Sequence, residues 1–200
     1  MLAGCAVAPA GVEPIIDLGE LRCDAAPNLS LALPLPEATP REAPVSMEFD
    51  SQLPCLRLVG ERAGFYAAFR IAPERGAVVL TISSLPLGRT IMAPRVMLMD
   101  GNGRLTRALG PDAFLFRGAG LSALVRLRAE EVFVVVGSAP GMAGKGFDRV
   151  QSSMNLTAVP LGAGMIFIHH GSEATQQMVF GHNGRVVLET RAAEAATVVP

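Results

Sequence analysis

The sequence lacks tryptophan and has one tyrosine, Tyr66, and one lysine, Lys145, among its 200 residues. Its 17 basic and 18 acidic side chains nearly cancel and leave a formal net charge of −1. This balance offers no basic surface for nucleic acid and no electrostatic attraction to an anionic membrane. No uninterrupted apolar run reaches the roughly 18 residues of a membrane-spanning helix. We therefore expect no nucleic-acid partner, and contact with a membrane only through a lipid anchor.

Long helices are disfavoured as well, because the chain contains 21 glycines and 15 prolines. Apolar residues instead alternate with a period of two, which is typical of half-buried strands, and the unbroken apolar run 132–136 indicates a central strand covered on both sides. Short strands separated by turn sequences predict an all-β fold, an antiparallel β-sandwich of the jelly-roll-like or immunoglobulin-like kind, over residues 45–190. The main strands expected are 65–71, 78–83, 96–100, 113–117, 124–128, 132–136, 165–169, 177–180 and 185–190.

The N-terminal part has a different composition, since 8 of the 15 prolines precede residue 55. Proline lacks a backbone donor and biases the residue before it toward extended geometry. We predict a Pro-rich extended arm over residues 6–44, with residues 6–22 as a tether of up to roughly 50 Å. Residues 191–200 are expected to form a C-terminal tail.

The first five residues carry a short processing signal. Leu2-Ala3-Gly4-Cys5 resembles the lipobox of bacterial lipoproteins, in which small residues precede a cysteine that receives a lipid. This reading makes residues 1–5 the remnant of a signal sequence and Cys5 the lipidation site. Because Ala6 is not an aspartate, the usual sorting rule predicts the periplasmic face of the outer membrane. The alternative is an accidental Ala/Gly-rich N-terminus.

Cysteine usage agrees with export. If Cys5 carries a lipid, Cys23 and Cys55 remain as an even pair, and exported domains usually oxidise such pairs. We expect a Cys23–Cys55 disulfide, which would hold the second half of the arm against the domain. The alternative is two buried, reduced thiols that act as small apolar side chains.

Two glycine-rich segments resemble ligand loops without completing them. Residues 100–103, Asp-Gly-Asn-Gly, begin like a calcium loop, but the later ligands are missing and Arg104 follows, so a hairpin turn is expected. Residues 137–146 resemble a phosphate-binding loop, but Ala139 stands where a glycine is needed and Gly146 where a hydroxyl is needed. We predict an inter-strand loop there.

The histidines do not form a site that the sequence can support. His169 and His170 are adjacent on an expected strand and therefore point to opposite faces, and His182 lies in a turn. The other groups considered for chemistry are Asp148, Glu130, Glu131, Ser172 and Glu173. Glu130 and Glu131 are expected to be surface charges in a turn. We expect no catalytic residue, no cofactor and no metal site.

A family resemblance appears around residues 63–137. It is carried by five segments, Phe69-Arg70-Ile71-Ala72-Pro73, 78–84, 92–100, 121–127 and 132–136. The most specific of them is 92–100, in which Ala93-Pro94 is followed by Val96, Leu98 and Asp100. This order is similar to the MalM family of periplasmic proteins encoded with bacterial maltose-uptake systems. The resemblance implies export, a β-rich domain and a link to maltodextrin uptake, and it carries over no catalytic or ligand residue.

These observations favour a non-enzymatic periplasmic lipoprotein associated with carbohydrate uptake through protein contact or weak glycan binding. The expected partner is an envelope protein or a component of carbohydrate uptake. Two alternatives stay open. One is a structural envelope module that presents an edge strand to a partner, and the other is a small periplasmic hydrolase that uses His170 or His182.

The lipid anchor is tested by expressing the full gene, with its upstream codons, in the native host. Wild-type protein should float with membranes and incorporate labelled palmitate, whereas Cys5→Ser should be soluble, because the acyl chains supply the membrane affinity. Soluble wild-type protein with an unmodified Cys5 would show that the lipobox is accidental.

Overall fold

A computed structural model describes residues 16–35, 43–72, 78–161 and 164–193, and for residues 151–161, 164–170 and 172 it describes the backbone alone. The described chain is all-β, apart from two short 3₁₀ turns at Leu29–Leu31 and Pro111–Ala113. The strands are β1 Leu33–Pro34, β2 Val45–Phe49, β3 Cys55–Leu56, β4 Gly64–Arg70, β5 Val78–Leu85, β6 Thr90–Met92, β7 Pro94–Met99, β8 Leu105–Leu109, β9 Leu115–Arg117, β10 Gly120–Arg126, β11 Phe133–Ser138, β12 Gly146–Leu161, β13 Gly164–Gly181 and β14 Gly184–Ala192. No helix in these ranges has the length and apolar character needed to cross a bilayer.

Two sheets form the sandwich that the alternation predicts. The first has the order β1-β4-β11-β7-β8, with β3 beside β4, and the second has the order β2-β14-β5-β10-β9. Neighbouring strands are antiparallel except β1 and β4. Inward-facing residues of both sheets share one core that includes Phe65, Phe69, Val134, Val136, Leu80, Ile82, Val186 and Leu188. The expected all-β antiparallel sandwich is confirmed.

The apolar run 132–136 contributes most of β11, the middle strand of the first sheet. It pairs with β4 on one side and β7 on the other, and every residue of β11 is buried. The prediction of a central strand covered on both sides is confirmed. A strand that meets water on one face needs polar residues on that face, and the run 132–136 has none.

One face of β4 was expected to meet solvent, and that expectation is wrong. Tyr66 and Ala68 alternate with the inward-facing Phe65 and Phe69, yet both are buried. They belong to a second apolar cluster, which lies on the outer face of the first sheet and is covered by Leu29 and other residues of the N-terminal arm. The arm therefore acts as a third layer over this sheet.

Residues 16–35, called here the arm segment, are attached to the sandwich at several points. Cys23 and Cys55 form a disulfide across a sequence separation of 32 residues. The Tyr66 hydroxyl donates to Asp24 Oδ2 at 2.7 Å and accepts the Asn28 N–H at 2.9 Å. The segment ends in β1, which runs beside β4.

The attachment shortens the tether that the sequence suggests. Leu18 is buried, and Arg57 Nη2 donates to the carbonyls of Leu18 and Gly19 at 2.9 and 3.0 Å, so residues 16–22 lie against the domain. Residues 1–15, 36–42 and 194–200 lie outside the described residues. The proposed boundaries of the arm (6–44), the domain (45–190) and the tail (191–200) stay predictions.

A long two-stranded ribbon, β12–β13, leaves the sandwich at one end. Two separate strands were expected at 165–169 and 177–180, but both belong to the single strand β13. The base of the ribbon joins the sandwich through parallel pairing of β13 with β6. The prediction failed because polar residues between the two apolar patches were interpreted as a loop.

Glu131 lies in the turn between β10 and β11, where an exposed carboxylate was expected, but its side chain is 0% exposed. Arg107 of β8 donates to both carboxylate oxygens, at 2.6 and 2.9 Å, and the Arg128 N–H donates to Oε2 at 2.7 Å. Burial alone would raise the pKa of Glu131, but the hydrogen bonds from Arg107 and Arg128 outweigh it and hold that pKa below its ordinary value. The carboxylate thus joins the edge of the first sheet to the end of β10 in the second.

We predict that Glu131→Gln lowers the free energy of unfolding by about 3 kcal/mol, because it leaves the Arg107 guanidinium without its charged partner. The matched control is Glu130→Gln, an exposed neighbour whose replacement should cost within about 0.5 kcal/mol. Urea denaturation of the three proteins measures both effects. Equal midpoints for the two variants would contradict a joining role for Glu131.

The difference in stability between wild type and Glu131→Gln should also depend on pH. The folded pKa of Glu131 is lower than its unfolded value, so its stabilisation is complete above the unfolded pKa of about 4.3 and is lost as the pH falls through the folded value. The stability gap between wild type and Glu131→Gln should therefore narrow in acid below about pH 4.

Candidate functional site

A cleft of about 520 Å³ lies where the arm segment passes one end of the sandwich. Its walls come from four parts of the chain, residues 16–19, Arg57 with 61–63, Pro140 with Ala143, and His182. Three of these are loops that the two sheets bring together, and the fourth is the arm segment held by the disulfide. The cleft therefore depends on the arm segment being in place.

His182 forms part of the floor of this cleft and is only 6% exposed. Its Nδ1 lies 3.0 Å from Ser138 Oγ, and its ring meets Phe65 edge-on at 6.4 Å between centroids. Ser138 Oγ also accepts the Phe65 N–H at 3.1 Å. The Ser138 hydroxyl and the His182 imidazole are therefore hydrogen-bonded to each other inside the protein.

The protonation state of His182 follows from its surroundings. Burial lowers the pKa of His182, and the negative charge of Asp17 opposes this to a smaller extent. The imidazole is therefore neutral at pH 7 and presents hydrogen-bonding rather than charge to the cleft.

Three charged side chains around the cleft, those of Asp17, Arg57 and Glu61, are engaged with the protein itself. Arg57 donates to arm carbonyls, as described above, and Asp17 Oδ1 accepts the Gly19 N–H at 2.8 Å. Glu61 forms an ion pair with Arg95. Charges of both signs thus face a partly apolar cleft, which suits a neutral polar ligand better than a strongly charged one.

The Ser138–His182 pair resembles part of a hydrolase dyad, but its environment does not suit nucleophilic catalysis. Ser138 is 3% exposed and its oxygen is already bonded to Phe65 and His182. A nucleophile must reach the substrate carbonyl, and a carboxylate usually orients the histidine. The pair is better explained as a buried polar link between β11 and the turn before β14.

The other histidines expected as candidates lie far from this cleft. His169 and His170 are on β13, paired with Leu156 and Asn155 of β12. At about 3.3 Å per residue, the strand separates them from His182 by roughly 40 Å. Within the described ranges, no group of three or more His, Cys, Asp or Glu side chains could hold a metal ion.

The remaining candidates have structural places. Asp100 Oδ1 accepts the N–H groups of Asn102 and Arg104, both at 2.9 Å, in the turn between β7 and β8, and Gly103 has a φ of 75°. The segment 137–146 runs from the end of β11 to the start of β12. Both are inter-strand connections, as expected. Asp148 lies on β12 and Ser172 and Glu173 on β13, whereas Glu130 and Glu131 lie in the turn between β10 and β11.

Two features of the site were missed by sequence reasoning. Ser138 and His182 are 44 residues apart, and no local pattern connects them. The arm segment was expected to be extended, but nothing in its composition placed Asp17 and Leu18 at a cleft. Cys5 lies outside the described residues, and its lipidation stays a prediction.

Comparison with protein families gives one match. Residues 61–139 match the model of the family described as maltose operon periplasmic protein precursor, MalM. The resemblance to the MalM family is confirmed over this segment. It runs from the loop before β4 to the residue after β11, so it includes three cleft residues, 61–63, and also Ser138, but not His182. Searches of curated proteins and of solved structures gave no match.

His182 predicts a pH dependence of stability. Its folded pKa is lower than its unfolded value of about 6.5, so the folded protein is stabilised above that pH and loses stability as the pH falls toward the folded value. His182→Gln should abolish this loss, and His170→Gln on the ribbon should keep it. Urea midpoints measured between pH 7.5 and pH 5 test the difference. Parallel curves for His182→Gln and wild type would contradict a buried neutral His182.

Proposed function

We propose that this protein is a non-enzymatic component of maltodextrin uptake that acts by contact with another envelope protein. We further propose that it is held at the periplasmic face of the outer membrane by a lipid on Cys5. The family match over residues 61–139 carries the proposal, because that family is described by its maltose operon and its periplasmic location. The matched segment contains the central strands of the first sheet, β4, β7 and β11.

The surface supports contact as the mode of action. Leu115 and Leu124 are each about half exposed on β9 and β10, at one edge of the second sheet, and they share a face because Leu115 pairs with Ser122, two residues before Leu124. Grouped exposed apolar side chains at a sheet edge are typical of interaction surfaces, because an edge strand also offers unpaired backbone groups. We call these two residues the β9–β10 patch.

Weak glycan binding in the cleft is the second candidate. The cleft volume of about 520 Å³ would admit a short oligosaccharide, and His182, Arg62 and Asp17 offer hydrogen-bonding groups. Sugar sites usually also stack the ring on an aromatic side chain. The chain has no tryptophan and its one tyrosine is 2% exposed, so contact is favoured over glycan binding.

Maltodextrin uptake in a deletion strain tests the proposal. Complementation with Leu115→Asp should lower the uptake rate by about tenfold, because a buried unpaired charge weakens an apolar interface by more than about 1.4 kcal/mol. The matched control is Leu105→Asp, which places the same charge on an equally exposed leucine of β8 in the other sheet. It should behave as wild type.

Arg62→Ala separates the two candidates. It changes the cleft without touching the β9–β10 patch, so contact predicts unchanged uptake. Loss of uptake with Arg62→Ala, together with calorimetric binding of maltotriose by the wild type alone, would favour the glycan site. A hydrolytic activity lost on replacing Ser138 or His182 would contradict both.

A further inference from the structure

The β12–β13 ribbon is uncharged along most of its length. Asp, Glu, Lys and Arg make up 18% of the chain, yet none occurs from Val150 to Ser172. The two strands pair without a register shift from Gly146 with Val179 to Leu161 with Gly164. Outside this mutual pairing, the described strands meet the ribbon only at its base, where β6 pairs with residues 179–181. Residues 156–161 of β12 and 164–168 of β13, called here the tip, are the parts of the two strands farthest from this base.

The tip is apolar on both faces of the ribbon. Cross-strand partners share a face, and successive pairs lie on opposite faces. One face carries the pairs Ala158–Phe167 and Pro160–Met165, and the other carries Thr157–Ile168 and Val159–Ile166. A groove on a folded partner would cover one face and leave the other in water. A lipid surface, in contrast, can surround both faces of an inserted ribbon with an apolar environment.

The base of the ribbon fixes its direction. The Phe147 ring lies between Phe116, at 5.1 Å, and Phe180, with which it stacks at 4.5 Å. Arg149 Nη2 donates to the Gly118 carbonyl at 2.9 Å, which ties β12 to the turn between β9 and β10. The ribbon is thus attached to the sandwich at its base by packing and by hydrogen bonds.

The chain that leads to the proposed lipid anchor can reach about as far from the sandwich as the ribbon does. Ile16 lines the cleft together with Ala143 and His182, which flank the base of the ribbon in the sequence. The chain from Cys5 to Ile16 spans at most roughly 37 Å at about 3.4 Å per residue. The ribbon from Arg149 to Leu161 spans roughly 40 Å. An acylated Cys5 in a membrane is therefore compatible with a tip in the same surface.

Backbone chemistry limits how deep the tip can lie. The outer edges of a two-stranded ribbon carry N–H and C=O groups without a strand partner, and hydrocarbon offers them none. At the boundary between headgroups and acyl chains, water and headgroup oxygens can satisfy them. Insertion is therefore limited to about 5–10 Å, which at about 3.3 Å per residue takes in the last two or three residues of each strand.

We propose that the tip inserts into the phospholipid surface to which Cys5 attaches the protein, at the headgroup boundary. That the tip and Cys5 reach the same membrane rests on the lipid anchor of the proposed function, whereas the affinity of the tip for lipid does not. The anchor raises the effective concentration of the tip at the membrane, so a weak affinity is sufficient. The two contacts together set the orientation of the sandwich above the membrane.

A tryptophan reporter tests the insertion, since the natural chain contains none. Phe167→Trp is made in the unacylated Cys5→Ser protein and mixed with vesicles of phosphatidylethanolamine and phosphatidylglycerol. Its emission should shift to shorter wavelength, and lipids brominated on the acyl chain should quench it. Leu105→Trp, on β8 of the sandwich, should show neither change. An unchanged Phe167→Trp spectrum at all lipid concentrations would overturn the proposal.

A charge placed in the tip gives the second readout. Ile166→Lys in the reporter protein should lower vesicle partitioning by about tenfold or more, since a cation is costly in an apolar environment. Ser152→Lys puts the same charge on the shaft of the ribbon and should leave partitioning within about twofold. Equal thermal midpoints of the two variants establish that both are folded. Equal partitioning of the two would overturn insertion through the tip.

Two further results distinguish lipid insertion from self-association and from the lipid anchor. An emission shift that needs no vesicles and grows with protein concentration would assign the tip to a second copy of the chain and overturn the lipid proposal. Because the assay uses Cys5→Ser, an unacylated Cys5 in cells would contradict the anchor without changing this result. Failure of the tip to bind lipid would likewise leave the anchor untouched.

Discussion

The attachment of the arm segment to the first sheet is the constraint on which the rest of the structure depends. Without it, the apolar outer face of β4, β11 and β7 would lose the cover that Leu29 and Ala32 of the arm segment provide. The Tyr66 hydroxyl supplies the polar part of this contact through Asp24 and Asn28, and the Cys23–Cys55 disulfide supplies the covalent part. Burial of the ring and its hydroxyl raises the pKa of Tyr66, so it stays a donor at all ordinary pH.

The same attachment creates the cleft. Residues 16–19 form one wall only because Arg57 and the disulfide hold them beside the sandwich. The cleft, the base of the ribbon and the start of the arm segment therefore lie at one end of the molecule. Strand β9 meets this end through Phe116, which contacts Phe147. The proposed contacts with a membrane and with a protein would thus both be made by one folded domain.

The sequence predicted the sandwich well because each half-buried strand shows an alternation of apolar and polar residues within its own segment. Residues 78–83 and 185–190 show the alternation directly, and the run 132–136 showed a strand with no solvent face. Alternation failed for β4, because it tells which residues share a face but not what covers that face. Tyr66 and Ala68 are buried by an arm segment whose own composition gave no sign of where it packs.

The site was less predictable than the fold, for a related reason. Glu131 looks like any turn carboxylate in the sequence, and only the distant Arg107 makes it a buried ion pair. Ser138 and His182 likewise meet through the folding of separate strands. The Cys23–Cys55 pair could be expected, because cysteine parity and an export signal do not depend on three-dimensional contacts.

Amide hydrogen exchange of the oxidised protein tests the attachment of the arm segment most directly. The amides of Asp24, Asn28 and Leu35 donate to Cys55 O, Tyr66 Oη and Arg70 O at 2.8 to 2.9 Å. They should be protected for as long as the amides of β11, and Tyr66→Phe should remove the protection of Asn28. Complete exchange of these three amides within seconds, while β11 remains protected, would show that the arm segment is not a layer of the sandwich.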